Sequence, residues 1–254
     1  MLTLIGLGLY DEKDLTLRGI EEAKKADAAF IELYTSYWHG NLKNLEKIIN
    51  RKITKLDRKD LEENSDKILL EAKAKNVVIF VQGDPLIATT HTSLLAEANR
   101  LGIGISIVHN ASIYSAIAET GLHIYKFGQT VTIPFPDKTK GILPKSVYDA
   151  IKTNKENGLH TLVLLDIDTA GNRYMLPQEA VGILLGMESK FRQHALPDNT
   201  ETLIIGRLGG SCTKEFKPLK DILSSHFRDL PAVMVIPGKL HYTERDFLEV
   251  YSRE

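Results

Sequence analysis

The sequence predicts an α/β protein, and three observations carry that prediction. Short apolar runs alternate with longer stretches of helical spacing along the chain. Two of the runs, Val77 to Val81 and the one within Leu159 to Ile167, are dense in β-branched and aliphatic residues, as expected of strands covered on both faces by helices. The runs also end in turns that carry Gly, Asp or Ser, at the strand ends where open α/β sheets bind ligands. With 254 residues, 43% hydrophobic and 26% charged, the chain has material for one large or two medium domains with real cores. The alternation pauses at Gly121 to Gly128, which places the junction there and predicts two α/β domains, residues 1–122 and 123–254.

Taken in order, Leu2 to Ile5 is a strand that runs into Gly6-Leu7-Gly8-Leu9-Tyr10-Asp11 and then a helix from about Thr16 to Ala26. Leu17, Ile20, Ala23 and Ala26 are read as its core face. Gly6 and Gly8 would let backbone amides approach a ligand, as in dinucleotide and S-adenosylmethionine folds, but Asp11 stands where GxGxxG needs its third glycine. Ala28 to Leu33 is the next strand. Glu32 at its end stands where a ribose-binding acid would sit in a dinucleotide fold, although a surface glutamate is the plainer reading. Tyr34 to His39 is an aromatic loop, which suits a substrate wall or the cover of an apolar edge or subunit interface. Leu42 to Ile49 and Leu61 to Ala74 read as amphipathic helices joined through the charged stretch Arg51 to Asp60.

The stretch from Asn76 to Gly102 holds the strongest site signal. The apolar strand Val77 to Val81 breaks into Gly83-Asp84-Pro85, where glycine opens the backbone and proline holds Asp84 out of the helical region. Thr89 or Thr90 is expected to cap the following helix, with Leu94, Leu95 and Ala98 buried. An ordinary strand-turn-helix connection, in which Asp84 only braces the turn, is the competing reading. Ile105 to Val108 is another strand, and Ser112 stands at the N-cap of a helix predicted through Glu119, whose exposed amides can hold a polar ligand group.

The second half restarts with a strand at Gln129 to Pro134 and a helix from about Ser146 to Asn157. The strand within Leu159 to Ile167 follows, with Asp166 and Asp168 emerging at its end, and then a helix from Pro177 to about Lys190. Thr202 to Ile205 is a strand ending in GRLGGS, Pro218 to Ser225 a helix, and Ala232 to Ile236 a strand ending in Pro237-Gly238-Lys239-Leu240-His241. There is no internal repeat and no low-complexity segment.

Composition narrows the function. Lys and Arg total 32 against 33 Asp and Glu, a net charge of -1, so no global field favours nucleic acid or an anionic membrane. No apolar run reaches the roughly 20 residues that span a bilayer, and the opening decapeptide has no signal-peptide pattern, so a cytoplasmic protein is expected. The single cysteine, Cys212, leaves no internal disulfide and no multi-cysteine metal site. HExxH, GxxxxGK[ST] and GxSxG are absent and the eight histidines lack ligand spacing, so no metal is expected. For His123, His160 and His241 a structural hydrogen-bonding role outweighs proton transfer.

Seven strings, taken together and in order, carry a resemblance: IGLGLYD at 5–11, LYTS at 33–36, GDPLIATTH at 83–91, SIYSA at 112–116, GLHIYKFG at 121–128, GLHTLVLLDI at 158–167 and PGKLH at 237–241. The chain resembles the archaeal diphthine synthases, a branch of the tetrapyrrole-methylase type of S-adenosylmethionine-dependent methyltransferases, over nearly its whole length. The resemblance implies two α/β domains with the cofactor, S-adenosyl-L-methionine, in the cleft between them. It also implies a homodimer that methylates the amino group of the modified histidine of translation elongation factor 2. The opening GLGLYD departs from the glycine- and proline-richer tetrapyrrole-methylase start, which argues against a corrin or porphyrin substrate. The family's cofactor contacts fall on Leu9, Asp84, Ile87, Ser112, Ile113 and Leu165, and, through looser matches, on Leu208, Ala232 and Val233. No catalytic base is assigned. A dinucleotide-dependent oxidoreductase and a non-catalytic translation-factor binding module are the alternatives.

Overall fold

The computed structural model describes residues 1–169 and 171–252 and divides the chain into two compact units, Met1–Ala116 and Ile117–Glu254. The GLHIYKFG stretch lies inside the second unit. In the first unit the strands are β1 (Leu2–Gly6), β2 (Ala28–Glu32), β3 (Ile53–Leu56), β4 (Val77–Val81) and β5 (Ile105–Val108). They form one sheet in the order β3-β2-β4-β1-β5 with every pair parallel. The helices are α1 (Leu17–Lys25), α2 (Leu42–Ile49), α3 (Arg58–Glu62), α4 (Asp66–Ala74), α5 (His91–Arg100) and α6 (Ile113–Ala116).

Alternation along the strands sorts the core into two layers. Leu2, Leu4, Val77, Ile79 and Val81 pack with Leu69 and Ala72 of α4 and with Leu94, Leu95 and Ala98 of α5. Ile5, Ile31, Val78 and Phe80 pack on the other face with Ala23 of α1 and with Leu45 and Ile49 of α2. Ile79 and Phe80 are fully buried, each worth about 1.5–3 kcal/mol of apolar burial. The adjacent central strands β1 and β4 therefore feed helices on opposite faces, α1 on one and α5 on the other. That is a topological switch point, the place where a parallel sheet opens a crevice beyond its strand ends.

Several expectations for this unit need correction. Leu17 is 80% exposed, because at about 100° per residue it stands half a turn round from Ala26; the inward face is Gly19 and Ala23, with Ile20 against them. The helix expected over Leu61 to Ala74 is two helices, α3 and α4. The first begins inside the charged stretch, where Asp57 and Asp60 cap each other reciprocally at 2.9 Å. The same stretch contains β3, an edge strand whose exposed Thr54 and Lys55 hide its strand character. Neither threonine caps α5: the Thr89 hydroxyl donates to the Pro85 carbonyl and the Thr90 hydroxyl to Glu62, both at 2.9 Å. The helix after Ser112 lasts one turn as α6 and continues as a 3-10 turn over Ile117–Thr120. Ser112, just before it, donates its N–H to the Ser115 hydroxyl at 3.1 Å. Glu32 is fully buried and not on the surface; its carboxylate accepts from the Tyr34 and Thr35 amides and from the Thr35 hydroxyl at 2.7 Å, so it ties down the start of the aromatic loop.

In the second unit the elements run β6 (Val131–Ile133), α7 (Lys145–Glu156), β7 (Thr161–Leu165), β8 (Ile167–Asp168), β9 (Arg173–Tyr174), α8 (Pro177–Phe191), β10 (Glu201–Gly206), β11 (Thr213–Pro218), α9 (Leu219–Leu223), β12 (Ala232–Ile236) and α10 (Tyr242–Leu248). The main sheet has the order β11-β10-β12-β7-β6, with only β6 and β7 parallel. β10 and β11 pair antiparallel because the short GRLGGS turn leaves no room for a crossover helix. A core on one face of the sheet gathers Val163, Ile204, Met234 and Ile236 with Tyr148, Ile151, Val181 and Leu184 from α7 and α8. Pro177 opens α8 as expected. The strand β11 was not expected: Lys214, Glu215 and Lys217 give it a polar look, and only Phe216 in it is buried.

His160 is fully buried and structural. Its Nε2 pairs with Glu244 at 3.0 Å, and its Nδ1 accepts from the Gly238 amide at 3.0 Å. Burial pushes its imidazolium down from the usual histidine range, against the pull of Glu244.

Candidate functional site

In the first unit, three turns leave the carboxyl ends of β1, β4 and β5 and interlock. Gly8 and Gly83 exchange backbone hydrogen bonds, at 3.2 and 3.0 Å, both with φ in the left-handed region that side chains resist. Gly6 packs so closely that an added Cβ would sit 2.5 Å from the Gly83 carbonyl. Asn110, after β5, donates its side-chain amide to the Gly6 carbonyl at 2.9 Å and to the Asp14 carbonyl at 3.0 Å. Asp14 in turn accepts from the Leu9 and Tyr10 amides at 3.1 and 2.7 Å, and Gln82 donates to the Gly8 and Leu9 carbonyls. The sequence expectations Leu9, Asp84, Ile87 and Ser112 fall on these turns, and Ile113 opens α6 directly after them. Ser112 is buried; Leu9, Ile87 and Ile113 are half-buried.

Asp84 is 6% exposed and well occupied. Its Oδ1 accepts from the Leu86 amide at 3.0 Å, and its Oδ2 takes His109 Nδ1 at 2.7 Å and the Asn110 amide at 3.3 Å. The competing reading of Asp84 as a brace is therefore physically present. A carboxylate has about four acceptor directions, so three donors leave one for a ligand group. The bracing partners Asp14, Gln82, His109 and Asn110 were not singled out from the sequence. The position of the His109-Asn110 pair directly after a strand was the available signal.

The remaining expectations gather at one end of the sheet in the second unit. Gly206 opposes Ala232, Ile205 opposes Val233, and Val233 opposes Leu164. The end of β7, with Leu165, thus lies beside the start of β12, and Leu208 stands two residues beyond the end of β10. Leu165, Leu208 and Ala232 are buried and Val233 half-buried, an aliphatic group without charge. Asp166 is held away by the Phe135 amide at 2.9 Å and by Lys138 at 2.8 Å. Among the described residues no group of three or more His, Cys, Asp and Glu is placed to hold a metal ion, and no helix is long and apolar enough to cross a membrane.

The sequence pattern of the tetrapyrrole (corrin/porphyrin) methylases matches residues 1–220. The chain belongs to that family and is a methyltransferase by class. Within the family its relatives are more particular. The diphthine synthase of Methanocaldococcus jannaschii is 40% identical over 253 residues and that of Methanococcus vannielii 40% over 251, each comparison covering 98% of both chains. A crystal structure of diphthine synthase superposes with a TM-score of 0.89 at 33% identity, covering 99% of this chain and 95% of that one.

Proposed function

We propose that the protein transfers methyl from S-adenosyl-L-methionine to the amino group of the modified histidine of translation elongation factor 2, the diphthine-forming step of diphthamide synthesis, and that it does so in the cytoplasm as a homodimer. The observation that carries the reading is the 40% identity to proteins named diphthine synthase over 98% of both chains.

The donor set fits the cofactor. In the first unit, Asp84 retains one acceptor direction for a hydroxyl or ammonium group, and the Gly6 and Gly8 turn brings main chain rather than side chain to the strand ends. Leu9, Ile87 and Ile113 there, and Leu165, Leu208, Ala232 and Val233 in the second unit, are apolar, which suits adenine and thioether surfaces. Ser112 adds a small polar neighbour to Gly83. When bound, the cofactor supplies a methyl group on a positively charged sulfur. The chain's contribution is to exclude water and aim a neutral acceptor nitrogen, which accounts for much of the rate of an in-line displacement.

Calorimetry with S-adenosylmethionine and its demethylated product tests the cofactor, with no heat at millimolar ligand refuting it and heat with NAD pointing to the oxidoreductase. Transfer of labelled methyl to elongation factor 2 carrying the precursor histidine, and not to unmodified factor, tests the acceptor. Label on a porphyrin or corrin overturns the substrate. Light scattering of the purified protein tests the dimer.

A further inference from the structure

Resting on that reading, we propose that His109 is the proton acceptor of the methyl transfer and that Asp84 is the residue that orients it. The amine to be methylated attacks only as the free base. A substrate ammonium must first lose a proton, and that proton needs a group to receive it.

The geometry at the end of β5 answers that. His109 Nδ1 lies 2.7 Å from Asp84 Oδ2. A carboxylate only accepts, so in the neutral ring Nδ1 carries the hydrogen and Nε2 keeps its lone pair. The Asp84 side chain is 8% exposed while that of His109 is 67% exposed, so a buried anchor holds a ring that stands open to solvent at the rim of the three turns. Bracing alone does not explain that arrangement, because the Leu86 and Asn110 amides already fasten the carboxylate. Asp84 is the charged group that touches the ring, from the turn after β4. Among the described residues no lysine or arginine pairs with His109 or Asp84.

The step balances without another reagent. The N–H bond of the substrate ammonium breaks, its electron pair stays on nitrogen for the attack, and the proton goes to His109 Nε2. Asp84 then faces an imidazolium, which gives its proton to water before the next turnover.

Two measurements test it. In the ligand-free protein, nitrogen NMR of His109 should show the tautomer protonated at Nδ1, and Asp84→Asn should change that tautomer. In single turnovers, His109→Ala and His109→Gln should lose about 10²- to 10⁴-fold in methyl transfer, while cofactor affinity and melting temperature stay near wild type. Imidazole added to His109→Ala, or raised pH, should restore part of the rate. A variant that keeps its rate within about threefold, an affinity loss equal to the rate loss, or no rescue by imidazole each overturns the role of His109. A wild-type protein that binds cofactor but methylates no protein acceptor overturns the underlying reading and this inference with it, whereas a variant defect without wild-type failure isolates the inference.

Discussion

Glu244→Gln removes one negative charge from the interior of the second unit and leaves behind the donors that charge was holding. The side chain is fully buried. It accepts from the His123 amide at 2.8 Å, the His241 amide at 2.7 Å, His160 Nε2 at 3.0 Å and the Lys126 ammonium. Burial by itself would raise its carboxyl; the Lys126 ammonium first, then the two amides and His160, outweigh that and bring it from 4.5 down to about 2. A depressed carboxyl stabilises the fold above its unfolded value and loses that contribution as pH falls from about 4.5 toward 2. The span corresponds to about 3 kcal/mol. Glutamine keeps the shape but turns an NH₂ toward donors and leaves the Lys126 ammonium, 20% exposed, without its counter-charge. Breaking such a pair costs about 3–5 kcal/mol. Hydrogen exchange at α10 and the start of β7 reads the effect in this unit. At pH 7 the variant should lose about 3–5 kcal/mol of protection, and the gap to wild type should narrow on acidification through the window given. A loss under about 1 kcal/mol at pH 7, or a gap that stays constant to pH 2, would refute the account.

Four further predictions concern the first unit. Asp84→Asn should both lower stability, by about 1–3 kcal/mol in denaturant titration because it braces two turns, and weaken cofactor binding about tenfold or more by calorimetry; loss of one without the other assigns the residue to a single role. Gly6→Ala should separate the β1 and β4 turns, since its Cβ would lie 2.5 Å from the Gly83 carbonyl and 2.7 Å from Asn110 Cβ. Cofactor binding should be abolished and the melting temperature lowered by several degrees, and retention of both would contradict the packing. In the aromatic loop, Trp38 packs against the core, so Trp38→Ala should cost about 3 kcal/mol of stability. Tyr37 is 36% exposed, and Tyr37→Ala should alter turnover or the final methylation state if the loop meets a cationic acceptor, with the melting point unmoved.

The strands most legible in the sequence are those buried on both faces, although the edge strand β5, with only Val108 buried, was also read from its aliphatic run. β4 shows five buried positions in succession, as do β1 and, after Glu201, β10. The edge strands β3 and β11 escaped because little of them is buried and they carry charge, Lys55 in β3 and Lys214, Glu215 and Lys217 in β11, as an edge that must avoid pairing with another chain tends to do. Leu17 was misplaced by counting in threes along a helix that repeats every 3.6 residues. Glu32 was misplaced because a carboxylate that finds three donors in its own loop can be buried, and only the loop's conformation reveals those donors. The glycine turns of the site were legible because their backbone needs a residue without Cβ. The grip of Asp84 on His109 and of Asn110 on Gly6 was not, because those bonds join residues 25 and 104 positions apart and leave no local pattern.

The reciprocal bond between Gly8 and Gly83, with Asn110 stitched across to Gly6, also bears on how such a protein can drift. Three turns from distant parts of the chain share their backbone partners, so a change tolerated in one shifts the anchor of the other two. Most single steps away from this arrangement are closed. The paths that remain open run through paired substitutions, and a library randomised at one turn alone should return almost only the parental residues, whereas one randomised at all three together has somewhere to go.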